Sequence, residues 1–200
     1  MRIKICGLFR EQDIEFVNEA LPDYAGFVFA ESKRQVSLAF AQKLRSRLAD
    51  SIVPVGVFVN SSIGEIAALH RNGVISIAQL HGTEDEDYIM RLKDAGGGAL
   101  IPVIKVIKSD QLKLGFHVTK ADYYLIDSGA GTGKSFDWKL LNQQKIEKPW
   151  FLAGGVNPGN IEQAIALGPF AIDISSGAET DGIKDREKIL QLTAAVRKGK

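Results

Sequence analysis

Cys6 is the only cysteine in the 200-residue chain, and it stands between Lys4-Ile5 and Gly7. Residues two apart on an extended segment share a face, so Lys4 and Cys6 point the same way. A nearby ammonium, or a following loop rich in N–H groups, favours the thiolate. A thiolate can act as a nucleophile or as a general base, and the local sequence does not choose between them. No Cys–His pair lies close by in the sequence, which argues against protease-like chemistry. Free Cys is often only a small buried hydrophobe. Cys6 differs in lying at the end of an apolar run and directly before a glycine.

Other polar groups recur in the same kind of place. Gln79 and His81 share a face, Asp127 closes an apolar run, and Asp173 and Ser175 share another face. Each alone could be a satisfied buried group, but their common placement at run ends is harder to dismiss. Arg34, in the loop Ala30–Ser37, carries a guanidinium that can fork onto a carboxylate. His70, His81 and His117 are not spaced as a metal site. Two glycine-bearing segments suit a phosphate: Ala153-Gly154-Gly155-Val156 and Ser175-Ser176-Gly177. Glycines let backbone N–H groups approach an anion closely, and hydroxyls add donors.

The segment Asp127–Ser135 nearly matches the phosphate-binding pattern G-x-x-x-x-G-K-[ST], ending in Gly133-Lys134-Ser135. Ser128 takes the place of the first glycine, and only about two further strands follow, where a nucleotide-hydrolysing sheet continues through several. The segment reads instead as a mobile Gly-rich loop over a site, with Asp127 at its base.

These groups need elements to carry them. Eight short apolar runs recur: Ile3–Cys6, Ala25–Phe29, Val53–Val59, Ile75–Leu80, Leu100–Val106, Tyr123–Ile126, Trp150–Leu152 and Phe170–Ile174. Several are almost wholly apolar, which marks parallel strands buried on both faces and joined by crossover helices. Helical spacing appears between most of them, in Ile14/Val17/Leu21, Ala41/Leu44/Leu48 and Ile63/Ile66/Leu69–His70. Further helices are expected over Asp87–Ala95, Trp138–Gln143, Asn160–Ala166 and Asp185–Val196, with Ser109-Asp110 as the cap of a weaker one before Lys120. About eight β-then-α units in this length predict a single-domain (β/α)8 barrel over residues 1–200, near the lower size bound. A doubly wound open sheet usually spends such a length on five or six strands. In a barrel, chemistry sits at the C-terminal strand ends, and phosphate binds after strands seven and eight.

Composition excludes other classes. Lys and Arg number 25 against 24 Asp and Glu, a net charge of +1 that offers no footprint for nucleic acid or an anionic membrane. One cysteine cannot make an intrachain disulfide or a Cys-rich zinc site. No apolar run approaches a membrane span, and Met1–Cys6 lacks a signal peptide's apolar stretch, so a cytoplasmic location is expected.

The residues also form a recognisable set: Lys4-Ile5-Cys6-Gly7, Gly26–Phe29, Ser32-Lys33-Arg34, Val55–Asn60, Gln79-Leu80-His81-Gly82, Leu125–Ser128, Gly131–Trp138, Leu152–Pro158 and Asp173–Glu179. In order and spacing this resembles the phosphoribosylanthranilate isomerase family of tryptophan biosynthesis, from Met1 to about Val196. The resemblance implies a (β/α)8 barrel and an Amadori rearrangement of N-(5-phosphoribosyl)anthranilate to 1-(2-carboxyphenylamino)-1-deoxyribulose 5-phosphate. By the family pattern Asp127 is the general acid that opens the ribose ring, and Cys6 is the general base that takes the C2′ proton. Arg34 would hold the anthranilate carboxylate, and Gly154, Gly155, Ser175, Ser176 and Gly177 the phosphate. His81 and Asp173 are expected to touch the substrate. A carboxyl acid working near neutrality requires a raised pKa, which an apolar, covered site supplies. No metal or redox cofactor is implied, and the partner is a phosphorylated small molecule, with monomer and homodimer both open. Two places depart from the pattern: Ala30-Glu31 replaces an aromatic or Tyr-Pro stretch, and Gln35 follows the arginine where an aromatic is common. A sister isomerase of histidine synthesis typically uses an Asp pair, so Cys6 counts against it. A non-catalytic binding module is disfavoured by the intact acid–base pair.

Overall fold

A computed structural model describes residues 1–108, 120–127, 138, 141 and 146–198. Eight parallel strands close into a barrel in chain order: β1 (Arg2–Cys6), β2 (Tyr24–Val28), β3 (Val53–Phe58), β4 (Ile77–Leu80), β5 (Val103–Lys108), β6 (Tyr123–Asp127), β7 (Trp150–Ala153) and β8 (Ala171–Ile174). The described helices are α1 (Glu11–Ala20), α2 (Leu38–Arg47), α3 (Ile63–Arg71), α4 (Glu86–Asp94), α5 (Ile161–Ala166) and α6 (Arg186–Lys198). The expected barrel is therefore observed. The Gly-rich loop after Asp127, the cap Ser109-Asp110, His117 and, apart from Trp138 and Leu141, the helix expected over 138–143 lie outside the described residues.

Strand alternation divides the buried side chains into two sets. Ile3, Ile5, Ala25, Phe27, Leu80, Ile126, Leu152 and Ile172 point outward and meet the helices. Val55, Ile77, Ile104, Val106, Leu125 and Phe151 fill the barrel interior. Near the N-terminal strand ends the interior is aromatic. Phe151 packs against Tyr24 at 5.4 Å and Tyr123 at 5.8 Å between ring centroids, and the Arg2 guanidinium lies 4.3 Å from the centre of the Phe170 ring. Local signals start several helices. Ser37 caps α2, Asp85 caps α4, and Ser62 with Glu65 forms a capping box on α3.

Three details differ from expectation. The fifth strand starts at Val103, not Leu100, because Pro102 has no N–H and the Ile101 N–H is turned to the Lys93 carbonyl at 3.0 Å. It runs on to Lys108, paired with Asp127, where the apolar run had already ended. Leu21 does not belong to the buried face of α1; it is the left-handed C-cap, with φ of 53°, and is exposed. Finally, a short antiparallel hairpin, β9 (Glu179–Thr180) with β10 (Ile183–Lys184), precedes α6.

Above the aromatic floor the barrel holds a charge. Lys4 is fully buried, and its Nζ donates to Gln79 Oε1 at 2.7 Å and Asp173 Oδ1 at 3.0 Å. Burial works against this ammonium, but Asp173 and then Cys6 outweigh it and raise its pKa. Lys4→Met removes the counter-charge of a nearly buried carboxylate. The expected cost is about 3–5 kcal/mol of stability, measured by urea titration.

Candidate active site

The C-terminal strand ends open on a cavity of about 400 Å³. All ten candidate residues line it: Cys6 from β1, Arg34 after β2, His81 after β4, Asp127 ending β6, Gly154 and Gly155 after β7, Asp173 on β8, and Ser175, Ser176 and Gly177 beyond it. Gln79 and Ser32 line it as well. Gln79 was visible in the sequence only as a polar partner of His81 on the strand face; its bond from Lys4 is a tertiary fact.

Cys6 lies one pleat above Lys4 and is paired in register with Gly26 of β2. A Cβ at Gly26 would stand 2.7 Å from the Cys6 sulfur, so this glycine makes the room in which the thiol sits. Burial pushes the Cys6 thiol up, against the pull of Lys4 and Lys184, and Asp173 adds to the push. The sequence suggested that the neighbouring ammonium favours the thiolate. The ammonium does act that way, but dehydration of the thiol outweighs it.

Across the cavity, Asp127 is joined to β7 through its pairing with Ala153, and its Oδ2 lies 3.5 Å from His81 Nε2. The His81 backbone is anchored by an N–H bond to the Phe58 carbonyl at 2.8 Å. Lys105, on β5, donates to the Gly82 carbonyl and to the buried Glu84 carboxylate, both at 2.8 Å, which holds the turn after His81 in place.

Arg34 is held by a partner that sequence reading did not single out. Its Nε and Nη2 donate to the two Glu179 oxygens at 2.7 and 2.6 Å. Glu179 also accepts from Lys184 Nζ, and both carboxylate and ammonium are nearly inaccessible to solvent. Burial opposes ionisation of Glu179, but the bonds from Arg34 and Lys184 outweigh it and hold the carboxyl below its ordinary range. Burial lowers the Lys184 pKa in spite of Glu179. Lys4, Arg34 and Lys184 face two carboxylates, Asp173 and Glu179, which leaves one positive charge in excess among these five groups.

The two glycine-bearing loops touch. A Cβ at Gly177 would fall 1.8 Å from the Val156 carbonyl oxygen, so the turn after β8 lies directly on the backbone of the loop after β7. In that loop Gly154 and Gly155 have φ of 89° and 71°, a conformation that side chains other than hydrogen disfavour. Asn157 and Asn160 each donate a side-chain amide to the Gly155 carbonyl, at 2.9 and 3.0 Å. The arrangement gives a rigid polar cradle of backbone groups and serine hydroxyls. Among the described residues, no three His, Cys, Asp or Glu side chains stand together as a metal site.

Residues 3–195 match the family described as N-(5'phosphoribosyl)anthranilate (PRA) isomerase. The chain is 46% identical, over an alignment of 213 residues spanning 100% of both chains, to N-(5'-phosphoribosyl)anthranilate isomerase of Clostridium acetobutylicum. Its structure resembles the crystal structure of phosphoribosyl anthranilate isomerase from Thermotoga maritima, with a TM-score of 0.87 at 31% identity over 99% of each chain. It also resembles a phosphoribosyl anthranilate isomerase solved in complex with reduced 1-(o-carboxyphenylamino)-1-deoxyribulose 5-phosphate, with a TM-score of 0.82 at 29% identity over 99% of each chain.

One substitution made at two places tests the packing of the cradle. Gly177→Ala forces the two loops apart and is expected to cost about 1–3 kcal/mol. Gly64→Ala, on α3 with nothing within 4 Å of the new methyl group, is expected to be neutral or stabilising by up to about 1 kcal/mol. Urea titration of the two variants reads the difference in sign.

Proposed function

The chain belongs to the N-(5'-phosphoribosyl)anthranilate isomerase family, and on that premise we propose how its barrel mouth performs the reaction. The activity is an aldose–ketose isomerisation of tryptophan biosynthesis. One observation carries the residue assignment. A single cavity brings Cys6 of β1 and Asp127 of β6 to the same rim, above the buried Lys4–Asp173 pair.

Asp127 gives a proton to the ribose ring oxygen. The C1′–O4′ bond breaks, and the nitrogen lone pair closes a protonated Schiff base at C1′. The Cys6 thiolate then removes the C2′ proton, and the electron pair of that C–H bond forms the C1′=C2′ bond of an enolamine. Tautomerisation places a proton on C1′ and leaves the C2′ ketone. No electrons are gained or lost overall. An acid and a base on opposite sides of the sugar suffice, each contributing about 10²- to 10⁴-fold.

The phosphate is assigned to the cradle of Gly154, Gly155, Ser175, Ser176 and Gly177, whose donors are neutral. His81 and Asp173 border the sugar: His81 lies beside the acid, while Asp173 is fixed by Lys4 under the base. Arg34 meets the anthranilate carboxylate. A guanidinium has a side edge and an end edge, and Glu179 occupies the side edge, so the end edge remains for a second carboxylate. Val28, Ala30, Val57 and Val59 line the same cavity and supply apolar contact for the aromatic ring. Gln35, which replaces a common aromatic, turns its amide to the Phe29 carbonyl at 3.0 Å and braces the loop.

Cys6→Ser and Asp127→Asn are each expected to lower kcat by about 10²- to 10⁴-fold with unchanged far-UV circular dichroism. Turnover is followed by loss of anthranilate fluorescence from substrate generated in situ; full activity in either variant overturns the assignment. The pH profile tests the base. Only the thiolate accepts the proton, and burial raises the pKa of Cys6, so in the residual turnover of Asp127→Asn, whose side chain no longer titrates as an acid, kcat/KM climbs with pH through neutrality. It should level off only above about 8.5, the ordinary thiol value.

A further inference from the structure

We propose that Glu179 is the positioning residue for Arg34: it takes the side edge of the guanidinium and so presents the end edge to the ortho-carboxylate of the substrate. The inference rests on the assignment of Arg34 to that carboxylate. Its basis is the geometry around β9. Arg34 leaves a loop after β2, and Glu179 lies 145 positions later in the chain, yet the two meet in a bidentate pair at 2.6–2.7 Å. The arginine stem passes close over the backbone on its way to that pair. It crosses Gly7, where a Cβ would come within 2.4 Å of Arg34 Cδ and where φ is 80°.

Glu179 is itself held from several sides. Lys184, its register partner on β10, donates to the same carboxylate and to the Ser175 carbonyl at 3.2 Å. Lys188 donates to the Glu179 carbonyl at 2.6 Å, and Arg10 Nη2 donates to the Lys184 carbonyl at 3.0 Å. A carboxylate needed only to neutralise Lys184 would have no use for the planar fork of Arg34. This one neutralises Lys184 and also fixes the plane of a guanidinium that borders the cavity. Planar bidentate pairing is directional, so the rotation of Arg34 about its last bonds is set by Glu179. The hairpin that precedes α6 thereby becomes part of the recognition of an ortho-carboxylated aryl amine.

The test is a preference ratio. N-aryl phosphoribosylamines are formed in situ from ribose 5-phosphate with anthranilate or with aniline, which lacks the carboxylate. The kcat/KM ratio of the two is measured for the unsubstituted enzyme, Arg34→Gln, Glu179→Gln and Glu179→Asp. The inference expects Glu179→Gln to lose about tenfold of the preference, mostly through KM for the carboxylated substrate. Glu179→Asp, which keeps the charge but shortens the reach, should move the ratio in the same direction by less, and keeps the test open if Glu179→Gln does not fold. A loss of stability with an unchanged ratio means a structural role only and overturns the inference. A preference that disappears in Arg34→Gln but survives both Glu179 variants overturns it while leaving the Arg34 assignment standing. Equal use of both substrates by the unsubstituted enzyme overturns the Arg34 assignment and the Glu179 inference together.

Discussion

A single dehydrated ammonium organises the interior of this barrel. Lys4 is fully buried, and a charge in that position is tolerated only if its hydrogens find partners. They find Gln79 on β4 and Asp173 on β8, so three strands are tied to one point between the aromatic floor and the open rim. Everything that faces the cavity stands on that layer. Cys6 is one pleat above Lys4 on the same strand, and Ser175 is two residues beyond Asp173. A barrel filled only with branched apolar side chains would be a sound scaffold, but it would give the thiol no counter-charge.

The same economy governs the rest of the mouth. The cations near Cys6 are not free surface charges; Lys4, Arg34 and Lys184 are each paired with a carboxylate, and only one positive charge remains in excess. A site built this way can receive an anionic ligand without a basic surface, which fits a chain whose overall charge is +1. The proposed anion contacts lie in loops where glycine permits close approach. Gly177 rests on the Val156 carbonyl, and Gly7 lets the Arg34 stem cross the chain just after the thiol.

The burial that makes these pairs strong also opposes ionisation of the thiol. The Lys4 ammonium offsets only part of this, so the resting thiol is a weaker acid than one in water. In the proposed mechanism this suits the role given to Cys6, because a base that is mostly protonated at rest has higher proton affinity once ionised. Lys4 and Lys184 pull the other way and favour the ionised form.

Local pattern by itself determined the alternation of eight strands with helices, the barrel it implies, and the polar groups at the strand ends. Period-two alternation and helical spacing depend only on neighbouring residues. That is why Lys4 with Cys6, Gln79 with His81 and Asp173 with Ser175 could be paired from sequence. The family motifs added roles to those positions. Only the tertiary structure decided the rest. The start of β5 depended on where the Ile101 N–H found a carbonyl on α4, and the hairpin β9–β10 is too short to leave a period. The pairing of Arg34 with Glu179 joins residues 145 apart, and no local rule selects one glutamate among the chain's acidic residues for it. The sign of the Cys6 shift followed from the balance between a nearby charge and lost water. The charge can be read from spacing, but the dehydration exists only once the strands have closed around the thiol.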